Sequence, residues 1–215
     1  NEVAQKTGQK WLARYGGKIS SEWVFPKLMQ MLEEAPEVYA AADYIVEAAD
    51  WVIWFLTGKQ TRNSCTAGYK AIWSKRDGYP QESFFKALDQ RLEHVVKEKL
   101  NCPITPLGSC AGGICDKAAA LTGLLPKTAV AVGNVDAHVT MPAVGIDGPN
   151  KMLAIMGTST CHILISREER NVPGMCGCVE DGVYPGFFGY EAGQSCVGDH
   201  FQWFIDNCLH AAYWQ

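Results

Sequence analysis

Apolar residues in the first half of the chain recur at helical spacing. Trp23, Leu28, Met31 and Leu32 share one face of a helix that Ser20-Ser21-Glu22 would cap, with Pro26 in its first turn and Pro36 ending the pattern. Residues 38–56 are apolar with few breakers, which predicts a second helical stretch stopped by Gly58-Lys59. Phe84, Phe85, Leu88, Leu92 and Val95 predict another over residues 81–99, its charges forming the solvated face. Further along the period shortens. Residues 129–132 are a β-compatible run ending at Gly133-Asn134, and residues 151–166 hold two β-rich pieces around Gly157-Thr158-Ser159. Helical and strand patterns in one chain predict an α/β class. Between the last two, Ile146-Asp147-Gly148-Pro149-Asn150 is a dense run of turn formers and marks a boundary between units 1–147 and 148–215. No tandem repeat or low-complexity tract interrupts the pattern.

Composition narrows the classes. With 19 basic and 23 acidic side chains, a net charge of −4 gives no electrostatic reason to bind nucleic acid or an anionic membrane. An apolar share of 47% is ordinary for a globular protein, and 21 glycines with 10 prolines lie well below the disordered range. The longest apolar run, residues 51–56, is far short of the roughly 18 residues that span a bilayer, so a soluble protein is expected. Nine cysteines are scattered without Cys-x2-Cys pairs, Cys176-Gly177-Cys178 being the nearest approach, so no structural metal is expected. Free thiols packing as small hydrophobes suit a reducing cytoplasm.

Two stretches carry candidate chemistry. In Gly133-Asn134-Val135-Asp136-Ala137-His138 a strand runs into a turn and presents a carboxylate where ligands of α/β sheets usually sit. Asp136 there can accept a proton from a substrate hydroxyl, or it can simply be a turn or helix cap. His138 reads as a partly buried packing residue. In Met156-Gly157-Thr158-Ser159-Thr160-Cys161-His162, glycine and consecutive hydroxyls offer N–H and O–H donors to a phosphate, although an unliganded hairpin turn would look the same. It is not a Walker loop, which needs Gly-x4-Gly-Lys-Ser/Thr.

Together with Gly189-Tyr190-Glu191-Ala192-Gly193-Gln194 and Thr66-Ala67-Gly68-Tyr69-Lys70-Ala71-Ile72-Trp73, these stretches resemble the FGGY carbohydrate kinases, and within them the L-ribulokinase branch. The matches run in order from near Trp51 to the helix expected at residues 201–209. Other branches tend to follow the Asp with Gln or Asn, whereas Ala137-His138 stands here.

The resemblance implies an actin-like ATPase, ribonuclease H-like fold of two α/β domains closing on sugar and ATP. Residues 1–147 would be the latter, sugar-binding part of the first domain, and residues 148–215 the opening of the second, nucleotide-binding one. Asp136 would be the general base for a hydroxyl of L-ribulose attacking the γ-phosphate of ATP, with Mg2+ on the phosphates. Lys70, Asp136 and Glu191 would meet the sugar, while Gly157, Thr158, Ser159 and Gly198 would meet the nucleotide; no residue is assigned to a metal. Lys70 taken alone reads as a solvated surface lysine. The family opens with an Asp-x-Gly-Thr phosphate loop, and none precedes Asp136. The chain is therefore expected to be the middle piece of a longer cytoplasmic enzyme, inactive by itself, with a homodimer among its possible assemblies. The alternatives are another pentulose or polyol kinase, a sugar-binding module without catalysis, and a thiol or metal protein built on the cysteines.

Overall fold

Helices dominate as far as residue 145 and an antiparallel sheet follows in the computed structural model, which describes residues 1–213. The helices are α1 (Glu2–Lys6), α2 (Val24–Glu34), α3 (Pro36–Ala41) and α4 (Ala48–Thr57), then α5 (Ser64–Ala71), α6 (Glu82–Leu88) and α7 (Val95–Lys99). Short strands β1 (Arg62–Asn63) and β2 (Ile104–Thr105) pair in parallel, and β3 (Cys110–Gly113) pairs antiparallel with β4 (Ala129–Ala131) across α8 (Asp116–Thr122). Helix α9 (Asp136–Ala143) leads to β5 (Met152–Met156), β6 (Thr160–Ser166), β7 (Gly177–Glu180) and β8 (Phe188–Gln194). These four strands form one antiparallel sheet in the order β5-β6-β8-β7, and α10 (Gly198–Cys208) follows.

Among the described residues no helix is long and apolar enough to cross a membrane. All nine cysteines are free.

Helix α2 occupies the expected place, but Trp23 stands at its N-cap and no side chain caps it. Ser20 Oγ instead accepts the Glu22 N–H at 3.1 Å, closing a turn before the helix. The stretch expected over 38–56 is broken. Residues 42–47 are non-helical because the Ile45 N–H donates to the Lys99 carbonyl at 2.9 Å, while the Ile45 carbonyl accepts from Arg62. Residues 81–99 likewise divide into α6, a short 3-10 turn (Gln90–Leu92) and α7. Asp89 turns extended there and its carboxylate takes the Arg91 N–H at 2.8 Å, an Asx cap that competes with continued helix. The apolar spacing was nonetheless sound: Phe25, Leu28, Leu32, Phe84, Phe85, Leu92 and Val95 all meet in one core.

A second core lies across the turn-rich connection at 146–150. Cys65, Tyr69 and Met141 from the helical side pack there against Ile163, Ile165, Val179 and Val183 from the sheet. This contact sets α5 and α9 against β6 and β7, and thereby positions the site.

Candidate functional site

Helix α5 is anchored before it delivers any functional group. Asn63 caps it by accepting the Thr66 N–H at 2.8 Å, and buried Asp50 Oδ1 takes both the Asn63 N–H and Nδ2–H, at 2.8 and 2.7 Å. Lys70 sits in the last turn, half-exposed, with its Nζ 3.8 Å from the Glu47 carboxylate. Across from it, β8 presents Glu191. Lys70 and Glu191 open on one cleft of about 780 Å³, walled also by Tyr15, Trp23, Val135 and His138. An ammonium and a carboxylate facing one cleft can respectively donate to and accept from the hydroxyls of a polyol.

Glu191 is held from behind. His138 Nε2 lies 3.1 Å from Glu191 Oε2, and the Cys161 thiol donates to Oε1 at 3.4 Å. Burial pushes the Glu191 carboxyl up, yet the bonds from His138 and Cys161, with the Lys70 charge, outweigh it and leave the group below its ordinary value. Burial and the Glu191 charge push the Cys161 thiol up to about 12, so it stays a donor.

Asp136 occupies the first position of α9, where the helix dipole favours a carboxylate, and it is exposed. Asp136 does not itself line the cleft, whereas Val135 and His138, before and after it in the chain, do. Gly157-Thr158-Ser159 forms the hairpin turn between β5 and β6, with the Gly157 N–H donating to the Ser159 carbonyl at 2.8 Å. The opening of α10 docks onto this turn through Val197 N–H to Thr158 O (2.7 Å) and Gly198 N–H to Gly157 O (3.0 Å). A Cβ on Gly198 would come within 2.6 Å of the Gly157 oxygen, so the glycine is required by the turn itself. The structure thus gathers Lys70 and Glu191 at one end and Gly157, Thr158, Ser159 and Gly198 at the other, and Asp136 begins α9, the helix that packs on β6.

The turn is open on its outer side. A Cβ on exposed Gly157 would touch nothing nearer than the Ser159 oxygen at 3.6 Å, and the Thr158 and Ser159 side chains are exposed. Among the described residues no three His, Cys, Asp or Glu side chains converge to hold a metal.

The residue that sequence reasoning undervalued is His138. It is buried at 2% exposure, stacked on Tyr69 with ring centroids 4.4 Å apart, and bonded at both ring nitrogens. The sequence signals were its place two residues after Asp136 and the departure of Ala137-His138 from the Gln or Asn of other branches.

Residues 152–214 match the FGGY family of carbohydrate kinases, C-terminal domain. The chain is 57% identical over 213 residues to a protein named ribulokinase from Bacillus licheniformis, covering 99% of this chain and 39% of that one. It is 59% identical over 211 residues to a ribulokinase from Geobacillus thermodenitrificans, covering 98% and 37%. The chain therefore spans about two fifths of the length of these relatives. Among solved structures, a xylulose kinase from Rhodospirillum rubrum matches with a TM-score of 0.78 at 22% identity, over 96% of this chain and 42% of that chain. A Plasmodium falciparum glycerol kinase with ADP matches with a TM-score of 0.70 at 14% identity, over 96% and 42%. At such identities the structural likeness establishes the fold, the actin-like α/β architecture of sugar kinases, of which this chain is a part.

Proposed function

The chain belongs to the FGGY family of carbohydrate kinases, and from that premise we propose that the protein transfers the γ-phosphoryl group of ATP to a hydroxyl of L-ribulose. The observation that carries this reading is the convergence of Lys70 and Glu191 on one cleft, whose wall also holds Val135 and His138, the residues that flank Asp136 and Ala137 in the chain. Lys70 and Glu191 hold the sugar by donating to and accepting from its hydroxyls. Asp136, exposed at a helix start, takes the proton of the attacking hydroxyl. Gly157, Thr158, Ser159 and Gly198 form the nucleotide side, where the open turn lets backbone and hydroxyls approach phosphate. ATP supplies the phosphoryl group, accompanied by Mg2+ carried on its phosphates. In this reading the connection at 146–150 divides a sugar side, residues 1–147, from a nucleotide side, residues 148–215. Free thiols throughout favour a cytoplasmic setting.

Asp136→Asn in the full-length protein tests the assignment. The amide keeps the size of the group and loses the proton acceptor, so kcat falls by roughly 10² to 10⁴ while sugar binding changes less. Weakened binding with kcat intact would make Asp136 a positioning group instead. A panel of ketopentoses, pentitols and glycerol, read by ADP release, separates L-ribulose from the substrates of neighbouring branches; no sugar-dependent ADP release from any of them would favour a sugar-binding module.

A further inference from the structure

We propose that His138 is the positioning residue of the sugar site: held between Cys65 and Glu191 and stacked on Tyr69, it fixes the Glu191 carboxylate in the orientation that receives a sugar hydroxyl. The inference rests on the reading of Glu191 as a sugar ligand.

The hydrogen-bond chain sets its direction. His138 Nδ1 lies 3.1 Å from Cys65 Sγ, and burial pushes that thiol up to about 12, so Cys65 keeps its proton. The Glu191 carboxylate can only accept, so Nε2 carries the hydrogen that points at Oε2. Cys161 occupies one site on Oε1. A carboxylate offers about four lone-pair sites, so with His138 and Cys161 each filling one, the rest stay available to the cleft.

The imidazole is itself immobilised. Its stacking partner Tyr69 sits among Gly177, Gly182 and Gly189, where any Cβ would come within about 2.8 Å of the tyrosine ring or hydroxyl. Tyr69 precedes Lys70 on α5, and His138 follows Asp136 by two residues on α9. The helices that carry the proposed sugar ammonium and the proposed base therefore also carry the support for the sugar carboxylate. Groups held in this way bind without first losing side-chain freedom.

The test compares His138→Leu, His138→Gln and Glu191→Gln in the full-length protein, with thermal melting to establish that each is folded. His138→Leu should raise the KM for L-ribulose by about tenfold or more, the size usual when a supporting hydrogen bond to a ligand-binding group is lost. The KM for ATP should stay unchanged. Glu191 would also lose a bond that favours its ionised form, so the acid limb of kcat/KM for the sugar should move to higher pH. His138→Gln, whose amide can donate to Glu191, should recover most of the sugar affinity. If His138→Leu does not fold, Cys65→Ala, which frees Nδ1 and loosens the ring, should raise the sugar KM by about two- to fivefold with ATP unaffected. A sugar KM unchanged in folded His138→Leu or in Cys65→Ala, or a folded His138→Gln no better than His138→Leu, overturns the proposal. Glu191→Gln separates the two levels. If it raises the sugar KM while the His138 variants do not, the positioning role alone fails; if it leaves the sugar KM untouched, the sugar-site reading fails with it.

Discussion

At Gly68 helix α5 comes so close to β7 that a methyl group has no room. A Cβ there would overlap Val179 Cγ1, and the Gly68 carbonyl accepts the Tyr15 hydroxyl at 2.6 Å, so the helix cannot simply retreat. Alanine is the better helix former by about 1 kcal/mol, yet overpacking a filled core costs about 1 to 3 kcal/mol, so steric exclusion should win. Gly68→Ala is therefore predicted to destabilise the protein in denaturant unfolding, and Val179→Ala added to it should recover part of the loss through a non-additive cycle. A Gly68→Ala variant more stable than the parent would mean that α5 and β7 are not in this contact. The same locality explains what could be read at single residues. Lys70, Asp136 and Glu191 each lie in a short stretch with its own signature, and the motif resemblance singles them out on that ground. His138 lies in one of those stretches too, but its partner does not: the thiol beside it is 73 positions away, and no spacing reveals such a pairing.

Elements were legible where their own sequence decides them and illegible where a distant carbonyl does. The apolar pattern at 81–99 found the right core, but the helix breaks at Asp89 for a local reason that a capping argument could have supplied. The break at 42–47 has no such local sign: it follows from bonds to Lys99 and Arg62. Strand β8 escaped because Gly189 and Gly193 interrupt its alternation. Asp50 shows one element serving another, since this residue of α4 holds the cap of α5. Burial raises its carboxyl above the ordinary value, against the Asn63 bonds and the nearby Arg62 charge. The folded state thus binds the proton more tightly than the unfolded chain. Stability from this group is fully present below the ordinary carboxylate pKa and declines as pH rises toward the raised one. Asp50→Asn keeps Oδ1 as acceptor for both Asn63 bonds and should abolish that decline. Asp50→Ala strands two buried donors and should cost about 1 to 3 kcal/mol. Urea unfolding at pH 4 and pH 7 checks both, and a stability difference between wild type and Asp50→Asn that does not change with pH would refute the account.

Across the whole molecule, turn formers at 146–150 announce a connection but say nothing about whether the parts beside it fold independently. The packing answers differently from the composition. Ile163 and Ile165 from the sheet are buried against a core that includes Cys65, Tyr69 and Met141 from the helical side. A division of labour between a sugar side and a nucleotide side is compatible with that shared core, but independent stability is not, because removing the sheet would expose the inner face of α5. Ile163→Ala makes the distinction measurable. Loss of a buried isoleucine costs about 2 to 5 kcal/mol, with a cavity placed at the junction. Native-state hydrogen exchange should then show the amides of α5 losing protection by the same free energy as those of β6 and β8, since contiguous packed elements open together. If α5 keeps its protection while the sheet loses its own, the connection separates two units of independent stability. The prediction bears on function as well. Lys70 is carried by α5 and Glu191 by β8, so their separation across the cleft is fixed only while the two elements open and close as one body.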